Sequence, residues 1–477
     1  MKSWFREVER STRPIADDTR EALAARWAAL PGHIRTDSQT LGRMAVGCEG
    51  THGVFPRCNF ACTPCYHSAH ANQVRVDGPH TLAEIKRQMA HLASERGPHA
   101  HAQLIGGEVT LLEPNDHAKA LLIMREHGRE PMSFTHGDMD YSYLKALAIG
   151  SDGQPRFKRL SFAGHFDTTM RGRRGLRIPT SEAELNSFRQ AFCDLFKRLR
   201  REYGVKYFLA HNMTVTPGNV DEIPDVIREC NSMGFNMMSF QPAAFVGNPR
   251  RWKEDYTRLN ADSVWTQIEA GAGVRLPFRV FQTGDERCNR SAFGYYLGKR
   301  WFPVLDEDDA DDLQTRDEFY RYLGGVHWGA PISLLLPRLG RVVVRHPHMV
   351  LVGIRWLWRR IHQSGGLLVV VRALLQHEVR PMTFVMHRFM NAEDVQPAWE
   401  MLKRGEMSTD PHILETQERL QSCFYAMAHP ETGEIVPACV QHSVLDPAEN
   451  RELVKLLPLP RRRSTDSDLS ATAKVRQ

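Results

Sequence analysis

Nine cysteines in 477 residues are too few for a disulfide-built scaffold, and an odd number cannot all pair. No apolar leader opens the chain: MKSWFREVERSTRP is polar and charged, so no secretory signal is read and a reducing, cytoplasmic setting is expected. Long hydrophobic runs are missing too. The longest uncharged apolar stretches, Met349 to Ile354 and Leu367 to Val371, fall far short of the ~20 residues that cross a bilayer. Neither sign of charge dominates, with 62 basic and 56 acidic side chains and a net +6. That balance calls for no nucleic acid, and none is expected as a partner. Internal repeats are absent apart from the strand–helix alternation described next.

What is present is an ordinary globular composition, 42% hydrophobic and 25% charged, long enough to bury a sizeable core. Residues 1–50 read as a polar lead-in with one helical pattern, Arg20 to Leu30. Within 51–250, apolar runs at Gly53–Pro56, Ala102–Ile105, Met132–Thr135, Arg159–Ala163, Tyr207–Val215 and Met237–Gln241 predict buried parallel strands. Amphipathic segments between them predict helices over Thr81–Arg96, His117–His127, Tyr143–Ala148, Glu182–Tyr203 and Val220–Met233. Strand and helix in alternation imply βαβ units, and six units imply an α/β fold of the TIM-like barrel kind, with chemistry at the carboxyl ends of the strands. Residues 251–460 read as a mixed C-terminal extension serving substrate or an auxiliary centre, and 461–477 as a disordered tail.

The densest chemistry follows the first apolar run: Cys58-Asn-Phe-Ala-Cys62-Thr-Pro-Cys65-Tyr66. Thiolate is the preferred ligand of iron–sulfur centres, and three thiols at C-x3-C-x2-C spacing reach three corners of a cubane, leaving one iron open. A structural zinc site would need a fourth ligand, commonly a second C-x2-C pair, and none is present.

This motif, with an aromatic residue after it, resembles the radical S-adenosylmethionine (SAM) superfamily. The resemblance implies a partial (β/α)6 barrel, a [4Fe–4S] cluster on Cys58, Cys62 and Cys65, and Tyr66 beside the adenine of SAM. Gly106-Gly107-Glu108, ending the second predicted strand, matches the family's Gly-Gly-Glu, which contacts the SAM amino group. Two glycines let a backbone approach a ligand closely, and the carboxylate can accept from an ammonium. Ser161 and Arg171, in Leu160-Ser-Phe-Ala-Gly164 and Met170-Arg-Gly172, match positions for the ribose or carboxylate, with Arg173 and Arg174 as alternatives to Arg171. Asn212 on the fifth strand and Gln241 on the sixth take the ribose and the SAM or substrate side. His136 and Asp138 lie at the same end, facing substrate or capping a loop.

Of the remaining cysteines, Cys193 and Cys230 fall in helical patterns and read as small core residues. A hairpin turn at His429–Gly433 brings Cys423 and Cys439 toward each other. With Cys288 or Cys48 they form a candidate auxiliary metal site and a second iron–sulfur cluster; independent buried thiols are the competing reading. The hairpin loosely resembles lipid-acting members of the superfamily such as tetraether lipid synthases. The resemblance further implies reductive SAM cleavage and attack on an unactivated C–H bond of a small-molecule, lipid or peptide substrate. It implies as well an electron donor, a reductase with flavodoxin or a ferredoxin. A peptide-modifying maturase and a non-catalytic metal-binding or redox-sensing scaffold are the alternatives. Residues 331–390 mix aliphatic runs with Arg and His and are expected to pack as amphipathic helices on the barrel. Their competing readings are a cover over a hydrophobic ligand and a peripheral membrane contact through Trp356, Trp358, Arg359 and Arg360. The acidic run Asp306–Asp312 reads as a solvated loop.

Overall fold

A computed structural model describes residues 15–328 and 332–460; the expected tail, 461–477, lies outside the described residues. One mixed sheet of eleven strands organises the chain, in the order β11-β10-β1-β2-β3-β4-β5-β6-β9-β7-β8. The strands are β1 (Cys48–Gly50), β2 (Ala100–Leu104), β3 (Arg129–Thr135), β4 (Arg159–His165), β5 (Lys206–Val215) and β6 (Met237–Pro242), then β7 (Asn289–Leu297), β8 (Arg300–Pro303), β9 (Val379–His387), β10 (Tyr425–His429) and β11 (Glu434–Pro437). β1 to β6 lie side by side in chain order and run parallel. β9 beside β6 and β10 beside β1 continue the parallel run. β7, β8 and β11 are antiparallel to their neighbours. The sheet curls as a half-barrel, the form of a partial TIM-like barrel.

Five of the six expected strands stand where the apolar runs put them. The first does not. Gly53–Pro56 forms no strand; β1 is Cys48-Glu49-Gly50. Its Glu49 is buried and held by both guanidinium arms of Arg129, at 2.9 and 3.1 Å, with Arg96 at 3.4 Å. A carboxylate paired in this way can sit inside a sheet, and an unpaired one could not.

Helices cover one face. After α1 (Asp17–Ala28), which turns Thr19 and Leu23 to the cavity, they are α2 (Gly78–Arg96), α3 (Pro114–Glu126), α4 (Tyr141–Ala148), α5 (Asn186–Tyr203), α6 (Ile223–Cys230) and α7 (Ala261–Ala272). Their starts follow ordinary capping chemistry: Asp77 accepts the His80 N–H at 3.0 Å, and Asn260 with Ser263 forms a capping box on α7. Ile85, Met89, Phe192, Phe196 and Ile227 from these helices share a core with Leu160, Phe162, Met213, Met238, Phe240 and Phe384 from the strands. Each such side chain contributes about 1.5–3 kcal/mol by leaving water. Cys193 and Cys230 are buried in this core, as expected.

Because strand side chains alternate, the residues between these core positions point to the other face. Ser161 and His165, Asn212 and Thr214, Ser239 and Gln241, Val385 and His387 all line one cavity there, of about 770 Å³.

The chain continues through α8 (Ala310–Leu323), α9 (Ile332–Arg345), α10 (His348–Gln363), α11 (Leu367–Leu375), α12 (Ala392–Lys403), α13 (Pro411–Gln421) and α14 (Asp446–Leu456). The expected hairpin forms, with Ala428 opposite Ile435 and His429 opposite Glu434. α14 is fastened to the sheet edge where His52 Nδ1 meets Glu449 Oε2 at 3.0 Å and stacks on His429 at 4.2 Å.

Two expectations fail beyond residue 300. Asp306–Asp312 is no plain solvated loop: Asp309 caps α8, and Asp312 is fully buried against Arg360 at 2.5 Å and Arg359 at 2.8 Å. Nor do α9 to α11 bury their apolar side chains on the barrel; most of those side chains are exposed. The side chains that do pack are Leu335 and Val342 from α9, Arg359 and Arg360 on α8, and Trp356, whose Nε1 donates to Val304 O at 2.9 Å. Of the four residues expected at a membrane interface, only Trp358 is exposed.

Candidate functional site

The cysteine loop is strapped to the sheet on both sides. Gly107 and Glu108 donate their N–H groups to Phe55 O and Arg57 O at 2.7 and 2.8 Å, and Ala61 and Thr63 donate to Arg171 O and Thr169 O at 2.9 Å each. These bonds explain the two glycines in a different way from the expected one. A Cβ at Gly106 would meet the Phe55 ring at 2.8 Å, and one at Gly107 would overlap the Arg57 carbonyl. The backbone they admit is that of the cysteine loop. Gly247, at φ +78° after β6, does the same from the far side, where a Cβ would overlap the Cys65 carbonyl.

Cys58, Cys62 and Cys65 all face the cavity. Burial pushes the Cys58 thiol up to about 12, and the Glu108 charge pushes it further in the same direction. Burial and then the Cys65 and Cys58 charges hold Cys62 well above the ordinary thiol range. Burial raises Cys65 as well, opposed by the charge and hydrogen bond of Arg251. Thiols that hinder one another's ionisation are stabilised as thiolates by a cationic core, whose binding displaces their protons. The donor set therefore fits an iron–sulfur cluster.

Tyr66, Gly106, Gly107, Glu108, Ser161, Asn212 and Gln241 line the same cavity as the three cysteines. Tyr66 sits between the rings of His67 and His442, at 4.5 and 4.4 Å. Glu108 is 1% exposed and already has partners. Its Oε1 accepts from Thr110 N at 3.0 Å and from the hydroxyls of Thr110 and Thr135 at 2.6 Å each; its Oε2 accepts from His136 N at 2.8 Å. A carboxylate offers about four acceptor positions, so the free capacity lies on Oε2. His136 also lines the cavity, whereas Asp138 caps a loop, bound to Arg174 at 3.0 Å.

Arg171 stands outside this group. Its guanidinium donates to the carbonyls of Thr168 and Met170, and it does not reach the cavity wall. Arg173 is buried under the Phe60 and Phe166 rings, and Arg174 is exposed on Asp138 and Asp140. The arginine in the wall beside the cysteines is Arg251, and no motif near it signals this role.

Sequence reasoning also missed His165, whose Nε2 lies 2.5 Å from the buried Asp167 carboxylate. It missed His387 too, the register partner of Asn289 across β9 and β7. Burial takes the His387 imidazole down to about 4.

Cys288, Cys423, Cys439 and Cys48 also line the cavity. Burial raises the Cys423 thiol, and the charge of Cys288 adds to it; Cys439 is raised by burial and then by both of the others. Arg419 Nε donates to Cys288 Sγ at 3.0 Å.

No family model matches the chain, and no curated protein matches it. Among solved structures, "Native anSMEcpe with bound AdoMet and Cp18Cys peptide" is similar at 16% identity and a TM-score of 0.32, over 47% of this chain and 58% of that one. "Native anSMEcpe with bound AdoMet" is similar at 18% identity and a TM-score of 0.31, over 46% and 58%. The matched part is less than two thirds of those proteins' own length.

Proposed function

We propose that the chain is a radical SAM enzyme built on a (β/α)6 core, with a [4Fe–4S] cluster held by Cys58, Cys62 and Cys65. One observation carries the reading: the C-x3-C-x2-C thiols share a cavity wall with Gly106, Gly107 and Glu108 after β2, Ser161 on β4, Asn212 on β5 and Gln241 on β6. Bound together, the cluster and SAM supply a carbon-centred radical able to take a hydrogen atom from an unactivated C–H bond.

The chain's own residues have the remaining work. Glu108 Oε2 offers an acceptor for an ammonium, Arg251 offers a cation for a carboxylate, and Ser161, Asn212 and Gln241 offer groups for hydroxyls. The apolar wall excludes water, which protects a reactive centre from side reactions. The electron would come from a flavodoxin or ferredoxin.

Anaerobic reconstitution tests the proposal. The protein should gain about four irons at the three-thiol site and release 5′-deoxyadenosine from SAM when reduced. Iron content unchanged in Cys58→Ala, Cys62→Ala and Cys65→Ala would remove the cluster assignment and leave the non-catalytic scaffold. Peptide substrates that stimulate SAM cleavage would favour the maturase alternative.

A second cluster on Cys288, Cys423 and Cys439 is a separate proposal, which the iron count tests. Cys423→Ala/Cys439→Ala should then lower the iron count while leaving 5′-deoxyadenosine release measurable.

A further inference from the structure

Residues 332–377 contain seven arginines and no aspartate or glutamate. Among the described residues, 23 large apolar side chains are exposed, and 15 of them lie on α9, α10 and α11. Leu368 is 86% exposed, Val344 82% and Leu375 76%. An ordinary amphipathic helix turns its apolar stripe inward. Here only Leu335, Val342 and Ala373 are buried among the described apolar residues; the other inward contacts are Arg359, Arg360, Trp356 and Ser364, bound to Asp312, Val304 and Tyr295, and most of the apolar side chains face out. Exposed apolar surface of this extent marks a contact with another apolar phase. Among the described residues no helix is long and apolar enough to cross a membrane, so a contact of these helices with a bilayer would run along its surface. Charge selects the occupant. A second copy would bring arginines against arginines, whereas an anionic lipid surface complements the exposed Arg341, Arg355 and Arg372.

The same end of the molecule holds the far end of the cavity. Its wall runs from the cysteines at the carboxyl ends of the strands to Ala100, Glu130 and Arg159 at the amino ends of β2, β3 and β4. At ~3.3 Å per residue a strand such as β4 spans about 20 Å. Met132, Phe134, Phe208, Met237 and Val385 make much of the wall apolar. At the amino-end side it reaches His327 and Trp328, close before α9, and Trp328 is also exposed. A long, largely apolar volume suits an extended hydrocarbon chain.

We propose that α9 to α11 seat the protein on an anionic bilayer, and that the cavity takes a long-chain lipid through the amino ends of the strands. The docking half stands on its own. The substrate half rests on the enzyme reading above, and names the lipid chain as the group presented to the cysteine end.

The test uses the full chain without reconstituted cluster, so its failure is separate from failure of SAM cleavage. Vesicles of phosphatidylcholine with phosphatidylglycerol should sediment the protein, and phosphatidylcholine alone should bind it at least about tenfold more weakly, since each basic group near an anionic surface adds attraction. Raising salt from about 0.1 to 1 M shortens the screening length from about 10 to about 3 Å and should weaken capture. Lipids brominated in the chain should quench Trp358, and Trp358→Phe should remove that quenching. Leu368→Asp/Leu375→Asp should abolish binding, and Arg341→Glu/Arg355→Glu should abolish the preference for anionic vesicles, both with unchanged circular dichroism. A phosphatidylglycerol with a photoreactive group at the chain end should label peptides containing Phe134 or Phe208. Equal binding to both vesicles, or lipid-free self-association abolished by Leu368→Asp/Leu375→Asp, overturns the docking half. Labelling confined to α9 to α11 overturns the substrate half.

Discussion

Glu108 Oε2 accepts the backbone N–H of His136 at 2.8 Å, tying the loop after β2 to the end of β3 directly beneath the cysteine loop. The carboxylate is therefore an internal brace as well as a cavity group. Glu108→Gln would set an amide NH2 against donors from Thr110, Thr135 or His136. Leaving buried donors unmatched costs about 1–3 kcal/mol. A lower melting temperature together with reduced SAM binding is expected; a normal melting curve would show that the brace is dispensable.

Gly107→Ala should disturb the cluster loop before it disturbs the barrel. The added methyl overlaps the Arg57 carbonyl, so residues 55–58 must shift. Iron incorporated per chain is expected to fall while the far-UV spectrum stays the same. Gly247→Ala, which presses on Cys65 from the opposite side, should give the same pattern.

Arg251 is expected to govern how readily Cys65 ionises. Burial raises that thiol and Arg251 opposes the rise. Arg251→Met should move it further up, slowing alkylation of Cys65 near neutral pH, because the thiolate is the reactive form. Rates measured against pH in wild type and variant give the shift directly, and coincident curves would rule the role out.

Acid should destabilise the protein through His117. This imidazole is buried against Ser133 and Tyr143, and burial alone takes it down to about 3. The unfolded chain takes up a proton below its ordinary value near 6.5 and the folded chain does not. Stability is therefore intact above pH 6.5, falls as pH drops toward 3, and changes no further from this group below that. At about 1.4 kcal/mol per unit the loss is several kcal/mol. Urea midpoints from pH 7 to pH 4 should show the slope, and His117→Gln should flatten it.

β2 to β6 were legible because strands buried on both faces are written as apolar runs, and the alternation then placed Ser161, Asn212 and Gln241 on one face. β1 was not, because its centre is Glu49, whose burial depends on Arg129 and Arg96 far along the chain. Val54 and Phe55 look like the strand and are buried, but Phe55 meets the sheet only at the loop after β2, through its carbonyl and Gly107 N–H, and forms no strand. Arg171 was favoured by its distance from neighbouring motif residues, while Arg251 reaches the site only through the turn after β6. For α9 to α11 the periodicity announced an apolar face correctly; periodicity carries no information on what that face meets.

β1 is paired on one side with β2 and on the other with β10, so Cys48 lies opposite both His101 and Tyr425. During synthesis on the ribosome the first of these partners follows soon, and the second only after almost the whole chain has emerged. Until then the strand leading into the cysteine loop keeps one bare edge, open to pairing with other chains. Metal loading before release would thus meet a half-built edge, and a chain stopped short of residue 425 would keep it.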